Sequence, residues 1–136
     1  MGYLAVLVAT IAAFIFGAVW YSVFAKPWMA DSGVPVGDNE RPQNASSPVP
    51  YVTCFVAQIL VAGMLRLMMD QIGITSLGNA LQWGAAVGLF FITPWIALNN
   101  GYSMRPFRLT MIDGGYATFG CAIMGAVLYL MAPTVG

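Results

Sequence analysis

The side chains that could take part in chemistry are few, and the most unusual of them is the carboxylate of Asp113. It lies about one helical turn, roughly 6 Å, inside an apolar stretch long enough to cross a membrane. An ionised carboxylate in hydrocarbon costs at least about 2.5–3.5 kcal/mol, so Asp113 needs a partner. Arg105, Arg108 and Lys26 are the cations expected on its side of the membrane. We therefore predict a charge-paired pin that holds the third loop against the helices, in preference to a proton relay or an ion site.

The other polar groups in or beside the apolar stretches are amides. Gln58, Asn79 and Gln82 carry side chains that commonly bridge neighbouring helices, for about 0.6–2 kcal/mol each. The run Asn-Asn-Gly at 99–101 predicts a tight turn at the end of the third span, because asparagine and glycine tolerate positive φ. The candidate polar cluster on the loop side consists of Asp113, Arg105, Arg108, Lys26, Asn99 and Asn100.

Missing and scattered residue types argue against several kinds of site and partner. The chain has no histidine, so the usual ligand of a haem iron or a chlorophyll magnesium is absent. It carries no nucleophile motif, no phosphate-binding loop and no paired carboxylates, and we expect no enzyme, cofactor or metal site. A formal net charge of zero argues against nucleic-acid binding. Cys54 and Cys121 lie within apolar stretches at different depths, and we expect packing roles for them without a disulfide.

Four apolar stretches must position these groups. They cover residues 3–24, 51–69, 77–98 and 109–131, and each is close to the roughly 20 residues that a helix needs to cross a membrane. The stretches are continuously apolar without the period-two alternation of barrel strands, so the fold class is an all-α, integral membrane four-helix bundle forming a single domain. The Pro-rich, polar segment 26–50 predicts an irregular loop.

Basic residues predict the orientation of the spans. Lys26 and Arg41 lie in the first loop and Arg105 and Arg108 in the third, whereas Arg66 lies near the opposite surface. Loops one and three should therefore face the cytoplasm, and both termini the other side. Tryptophan and tyrosine are enriched at membrane–water interfaces, and we expect four such anchors, which are Trp20, Tyr21, Trp28 and Trp95.

Small residues recur every four positions on three of the spans. Such stripes let helix backbones approach closely in lipid, where the hydrophobic effect between helices is weak. Some stripes must pack the bundle itself, and three in so small a bundle leave one or more for a neighbouring subunit. The expected packing residues are Ala9, Ala13 and Gly17, then Ala80, Gly84 and Gly88, and finally Gly114, Thr118 and Ala122.

The chain resembles the bacterial family known as domain of unknown function 1761 over almost its whole length. The most specific motif is Trp20-Tyr21-Ser22 followed by Lys26-Pro27-Trp28-Met29, with further matches at 99–100, 112–116 and 124–126. The resemblance implies a small four-helix protein of the bacterial inner membrane, and with the charge pattern it places both termini in the periplasm. It carries over no activity. Family members often have a helix-like segment after the Trp-Met pair, where this chain is Pro-rich.

Two functions from different classes remain open. The spare small-residue stripes and the scarcity of reactive groups favour an accessory subunit that packs against a larger membrane complex, for example a respiratory or photosynthetic one, or against copies of itself. The alternative is a minimal oligomeric transporter or channel for a small solute, with Asp113, Asn79, Gln82, Asn99 and Asn100 along its route.

Overall fold

The computed structural model describes residues 2–132, and within that range it has four helices long and apolar enough to span a membrane. The predicted all-α, four-span architecture is therefore confirmed. In chain order the helices are α1 (Gly2–Val23), the short α2 (Ala25–Ser32), α3 (Val49–Ile72), α4 (Leu77–Val87), α5 (Thr93–Tyr102) and α6 (Phe107–Leu130). A π-helical turn, Gly88–Ile92, joins α4 and α5 into one continuous third span.

Helix α6 lies at the centre of the bundle. It packs most extensively against α4, then against α1 and α5, and more lightly against α3. Helix α1 packs against α3 on the other side, whereas α3 and α4 barely touch. Nearly all the contacts of the third span with other helices are therefore with α6.

Glycines bring α4 and α6 into backbone contact. A Cβ atom added to Gly84 would meet the carbonyl oxygen of Cys121, and one added to Gly88 would meet the carbonyl of Ala117. From the opposite helix, a Cβ on Gly125 would lie 2.5 Å from the carbonyl oxygen of Ala80. Because these obstacles are backbone atoms that cannot rotate away, the helices can approach this closely only where side chains are missing.

The three predicted small-residue faces are all used within this chain. Ala5, Ala9, Ala13 and Gly17 are buried where α1 meets its neighbours. Gly114 lies against the side chain of Thr93, while the next residues on that face of α6 are half-buried, namely Thr118, Ala122 and Ala126. Each stripe singled out from the sequence therefore has contacts within the described residues, and a stripe that also serves a neighbouring subunit stays a prediction.

The π-helical turn explains how the third span passes through a proline. Pro94 has no N–H for the carbonyl four residues earlier, and its ring crowds that carbonyl. The wider π turn precedes it, and the Thr93 hydroxyl donates to the carbonyl oxygens of Gly88, 2.7 Å away, and Gly114, 3.2 Å away. The Thr93 side chain thus bonds to the π turn and ties the third span to α6 through the Gly114 carbonyl.

The expectation of an irregular loop over 26–50 is wrong at its start, because Ala25–Ser32 forms α2. Pro27 sits in the first turn of this helix, where a missing N–H costs nothing, and so it does not prevent helix formation. The chain bends at Phe24, with φ −102°, and leaves the helix through Gly33 in the left-handed region, with φ 73°. Residues 33–48 have no regular structure beyond one bridge between Val36 and Pro42.

The predicted turn at 99–101 is also wrong, because the third span remains helical through Tyr102. The buried side chain of Asn100 donates to the Thr110 hydroxyl, 3.0 Å away on α6, and this bond holds the last turn of α5 in place. The chain reverses slightly later, where Met104 takes φ 59° and the N–H of Arg105 donates to the carbonyl of Asn100.

We expect Gly84→Ala to destabilise the bundle by about 1–3 kcal/mol, because the new methyl group can fit only if α4 and α6 separate. The matched control is Gly63→Ala on α3, where an added Cβ meets nothing within 4 Å. Unfolding of both variants in mild detergent mixtures, followed by circular dichroism, measures the difference. Equal stability of the two variants would contradict a backbone contact at Gly84.

Candidate functional site

The candidate site is built around Asp113, which lies six residues into α6, about 9 Å along its axis. Its Oδ1 atom accepts a hydrogen bond from the Tyr21 hydroxyl on α1, at 2.7 Å. The predicted contacts of this carboxylate with Arg105, Arg108 and Lys26 are not present, and its direct partner is a neutral phenol. The expectation of a charge-paired pin at Asp113 is therefore wrong in its chemistry, although Asp113 does connect two helices.

Arg108 forms its ion pair elsewhere. Its Nε and a terminal nitrogen donate to the two carboxylate oxygens of Asp31 on α2, at 2.5 and 2.7 Å. This paired contact joins α2 to the first turn of α6 at the membrane surface. The hydrogen bonds and the charge of Arg108 lower the pKa of Asp31, so the carboxylate is ionised at neutral pH. Lys26 and Arg105, also predicted as partners of Asp113, are exposed.

Aromatic rings surround the Asp113–Tyr21 contact. The Tyr21 ring meets Trp28 of α2 edge-on, with centroids 6.0 Å apart, and Tyr116 of α6 edge-on at 5.3 Å. Beside it, the Trp20 indole N–H donates to the carbonyl of Ile112 at 2.9 Å. Trp20 and Tyr21, which we predicted as interface anchors, thus use their polar atoms inside the bundle. Trp95 is exposed, as a lipid-facing anchor would be.

A second polar contact lies deeper, one turn along α6 from Asp113. The Tyr116 hydroxyl donates to the carbonyl of Ala13 at 2.8 Å and accepts a short hydrogen bond from the Gln58 amide nitrogen of α3. Tyr116 therefore ties α6 to both α1 and α3, and Gln58 bridges helices as the sequence suggested. The amide oxygen of Gln58 is buried and has no hydrogen-bond partner among the described residues.

Two glycines make room for these aromatic side chains. A Cβ on Gly17 would lie 2.7 Å from the Tyr116 hydroxyl oxygen, and a Cβ on Gly115 would lie 2.7 Å from the Trp20 ring. Gly17 was predicted as a helix-packing residue, and its near neighbour on α6 is the Tyr116 hydroxyl. The missing side chain at Gly17 allows Tyr116 to reach the α1 backbone at Ala13.

The remaining members of the predicted polar cluster do not join Asp113. Asn100 is committed to Thr110, and the backbone carbonyl of Asn99 accepts from the Ser103 hydroxyl at 2.9 Å. Both hydrogen bonds stabilise the last turn of the third span, so these groups are engaged in the structure of the helix end. The site assembled by the fold is instead Asp113, Tyr21, Tyr116 and Gln58, enclosed by Trp20 and Trp28.

Sequence reasoning missed Tyr116, and it placed Tyr21 at the lipid interface. A signal was present, since Tyr116 lies three residues after Asp113 and so on a similar face of the helix. The assembled groups can exchange hydrogen bonds and hold a proton, but the residues described from 2 to 132 contain no group of three or more Cys, Asp or Glu side chains placed to bind a metal ion.

Comparison with known proteins gives one finding. A family model described as protein of unknown function DUF1761 matches residues 4–129, which includes every residue of the candidate site. Neither the curated proteins nor the solved structures give a match. The resemblance seen in the sequence is thereby confirmed.

We expect Tyr21→Phe to destabilise the protein by about 1–3 kcal/mol, because it leaves a partly buried carboxylate without its hydroxyl donor. The matched control is Tyr51→Phe, which removes a hydroxyl that donates to the Ala45 carbonyl in an exposed loop and should change stability by about 0.5 kcal/mol or less. The free energy of unfolding in lipid–detergent mixtures measures both. Similar losses of unfolding free energy in the two variants would show that the Tyr21–Asp113 hydrogen bond contributes no more to stability than an exposed one.

Proposed function

The chain belongs to the family of unknown function DUF1761, and we propose that it is a small structural subunit of the bacterial inner membrane that assembles laterally through the outer face of its third span. The observation that carries this proposal is the one-sided support of that span. Helices α4 and α5 pack almost entirely on α6, so among the described helices only α3 touches α4 from another side, and that contact is slight.

That outer face has a composition suited to helix association. Gln82 lies about 200° around the helix from Ala80 and from Gly84, which face α6, and its side chain is exposed. Gly78 lies one turn before Gln82, and a Cβ added there meets nothing within 4 Å. Ala86 lies one turn after it and is half-buried. We call Gly78, Gln82 and Ala86 the outer stripe.

A second copy of the chain is the simplest occupant of the outer stripe. An amide carries both a donor and an acceptor, so Gln82 can pair with Gln82 of the partner copy across a two-fold axis perpendicular to the membrane. The small residues one turn above and below allow the backbones to approach, and an interhelical amide bond contributes about 0.6–2 kcal/mol. The outer stripe is thus distinct from the small-residue stripes that pack inside the bundle.

The membrane orientation is part of the same proposal. The Asp31–Arg108 ion pair brings the first and third loops together at one surface, where Lys26, Arg41 and Arg105 also belong. At the other surface Arg66 is paired with Asp70 at 3.3 Å. An excess of basic residues on the first surface supports a cytoplasmic location for these loops, with the termini in the periplasm.

We expect the native protein to be a dimer in mild detergent or nanodiscs, and Gln82→Leu and Gly78→Ile each to weaken dimerisation by about tenfold, from loss of the amide pair and of close approach respectively. Native mass spectrometry over a concentration series measures the dimer fraction. Gly63→Ile on α3 is the matched control, because its added side chain also enters open space but on another helix. A monomeric native protein, or variants that dimerise like Gly63→Ile, would contradict assembly through the outer stripe.

A second candidate function, the movement of a proton or small solute, is favoured by one observation. Asp113 has a neutral partner instead of a cation, and Tyr116 and Gln58 extend polar groups about one turn deeper into the bundle. The other residues expected along a route do not converge on it, since Gln82 lies on the outer face and Asn100 is bonded to Thr110.

If this second function holds, Asp113→Asn should abolish a proton or solute flux into proteoliposomes while leaving folding intact, because asparagine keeps an acceptor for the Tyr21 hydroxyl but cannot ionise. Flux measured with a pH-sensitive dye inside the vesicles tests it, with Asp38→Asn in the exposed first loop as control. Equal flux in the native protein and the Asp113 variant would exclude a conducting role for this carboxyl group.

A further inference from the structure

The short helix α2 has the construction of a movable element. It is separated from α1 by the single non-helical residue Phe24, with φ −102°, although backbone hydrogen bonds from Phe24 to Trp20 and from Trp28 to Phe24 still cross this point. At its other end α2 stops at Gly33, which has a left-handed conformation. None of its residues is fully buried, and among the described helices it contacts α6 and α1. Segments with few buried contacts open at a lower free energy than the bundle as a whole.

One ion pair fastens α2 to the bundle. Asp31, next to the last residue of α2, receives two hydrogen bonds from Arg108, and Asp31 is the better covered of the two side chains. Exposed ion pairs are weak, but two parallel bonds to one carboxylate are the strongest arrangement available to them. The contact is thus strong enough to define a closed position and weak enough to break without unfolding the spans.

The closed helix covers the Asp113–Tyr21 contact. Trp28 projects from α2 onto the Tyr21 ring, with centroids 6.0 Å apart, and the Tyr21 hydroxyl is bonded to Asp113. Arg108 and Asp113 lie on the same helix, about 7.5 Å apart along its axis and about 140° apart around it, so the ion pair holds α2 at the end of α6 that leads to the carboxylate. We infer that α2 is a hinged lid, held closed by the Asp31–Arg108 pair, which controls the access of water to the Asp113–Tyr21 site.

This lid goes beyond the proposed assembly function and does not depend on it. The outer stripe lies on α4, whereas α2 meets only α1 and α6. A failure of dimerisation would leave the lid intact, and a rigid α2 would leave the dimer intact. The two proposals are therefore tested by separate measurements.

Cys54 provides a reporter for the lid. It lies on α3, half-buried, close to both Tyr21 and Tyr116. With the second cysteine removed as Cys121→Ala, alkylation by a water-soluble maleimide in reconstituted vesicles reports how often water reaches this site. Opening of α2 withdraws Trp28 from the Tyr21 ring, and this should let water and the reagent reach the neighbouring Cys54 and raise its alkylation rate.

We expect Asp31→Asn and Arg108→Gln each to raise the alkylation rate of Cys54 by about tenfold, and the exchanged pair Asp31→Arg with Arg108→Asp to return it close to the native rate. Glu40→Gln, an exposed carboxylate in the first loop, is the control and should leave the rate unchanged. Recovery in the exchanged pair separates opening of the lid from general unfolding. Single variants that react as slowly as the native protein, or an exchanged pair that reacts as fast as the single variants, would overturn the inference.

Discussion

The close approach of α4 and α6 is the contact on which the rest of the structure depends. In lipid the association of helices relies on dispersion and hydrogen bonds, and both require short distances. Gly84, Gly88 and Gly125 permit those distances by replacing side chains with backbone contact. Because the carbonyls on the opposing helix cannot move aside, this contact also fixes the rotation and depth of α6. Those two quantities decide where Asp113 and Tyr116 are presented.

Helix α6 is central because two of its faces contact different helices. One face contains Gly114, Cys121 and Gly125, which lie at similar angles and meet the third span. The other carries Asp113 and Tyr116, which reach α1 and α3 through hydroxyl and amide groups. The first face relies mainly on close backbone packing, with Thr93 adding a hydrogen bond, whereas the second adds hydroxyl and amide bonds to its apolar contacts. Together the two faces attach α1, α3 and the third span to one helix.

The sequence predicted the fold far better than the site. Continuous apolar stretches near the length of a membrane crossing identify the spans, because lipid imposes that length and forbids exposed backbone. The length of the apolar stretches does not identify the partner of Asp113. Tyr21 lies in a cluster of aromatic residues at the end of the first stretch, and such a cluster is equally typical of residues that face the membrane interface. Only the structure reveals that the Tyr21 hydroxyl bonds to Asp113 and that the Trp20 ring fits against Gly115. Helix α2 escaped prediction because its proline occupies the first turn, where it is tolerated.

The outer stripe of α4 and the short helix α2 differ in how firmly they are held. The outer stripe of α4 is rigid, because α4 is anchored to α6 along its length, and rigidity reduces the entropic cost of association. Helix α2 is attached through the Asp31–Arg108 pair and the contact of Trp28 with Tyr21, and none of its residues is fully buried. Elements with few buried contacts open at a lower free energy than the rest of the structure. Both are attached to α6, but α4 meets its glycine face whereas α2 meets its first turn. The two proposals together describe a small protein that keeps a fixed contact with a second copy through α4, while α2 opens and closes over Asp113.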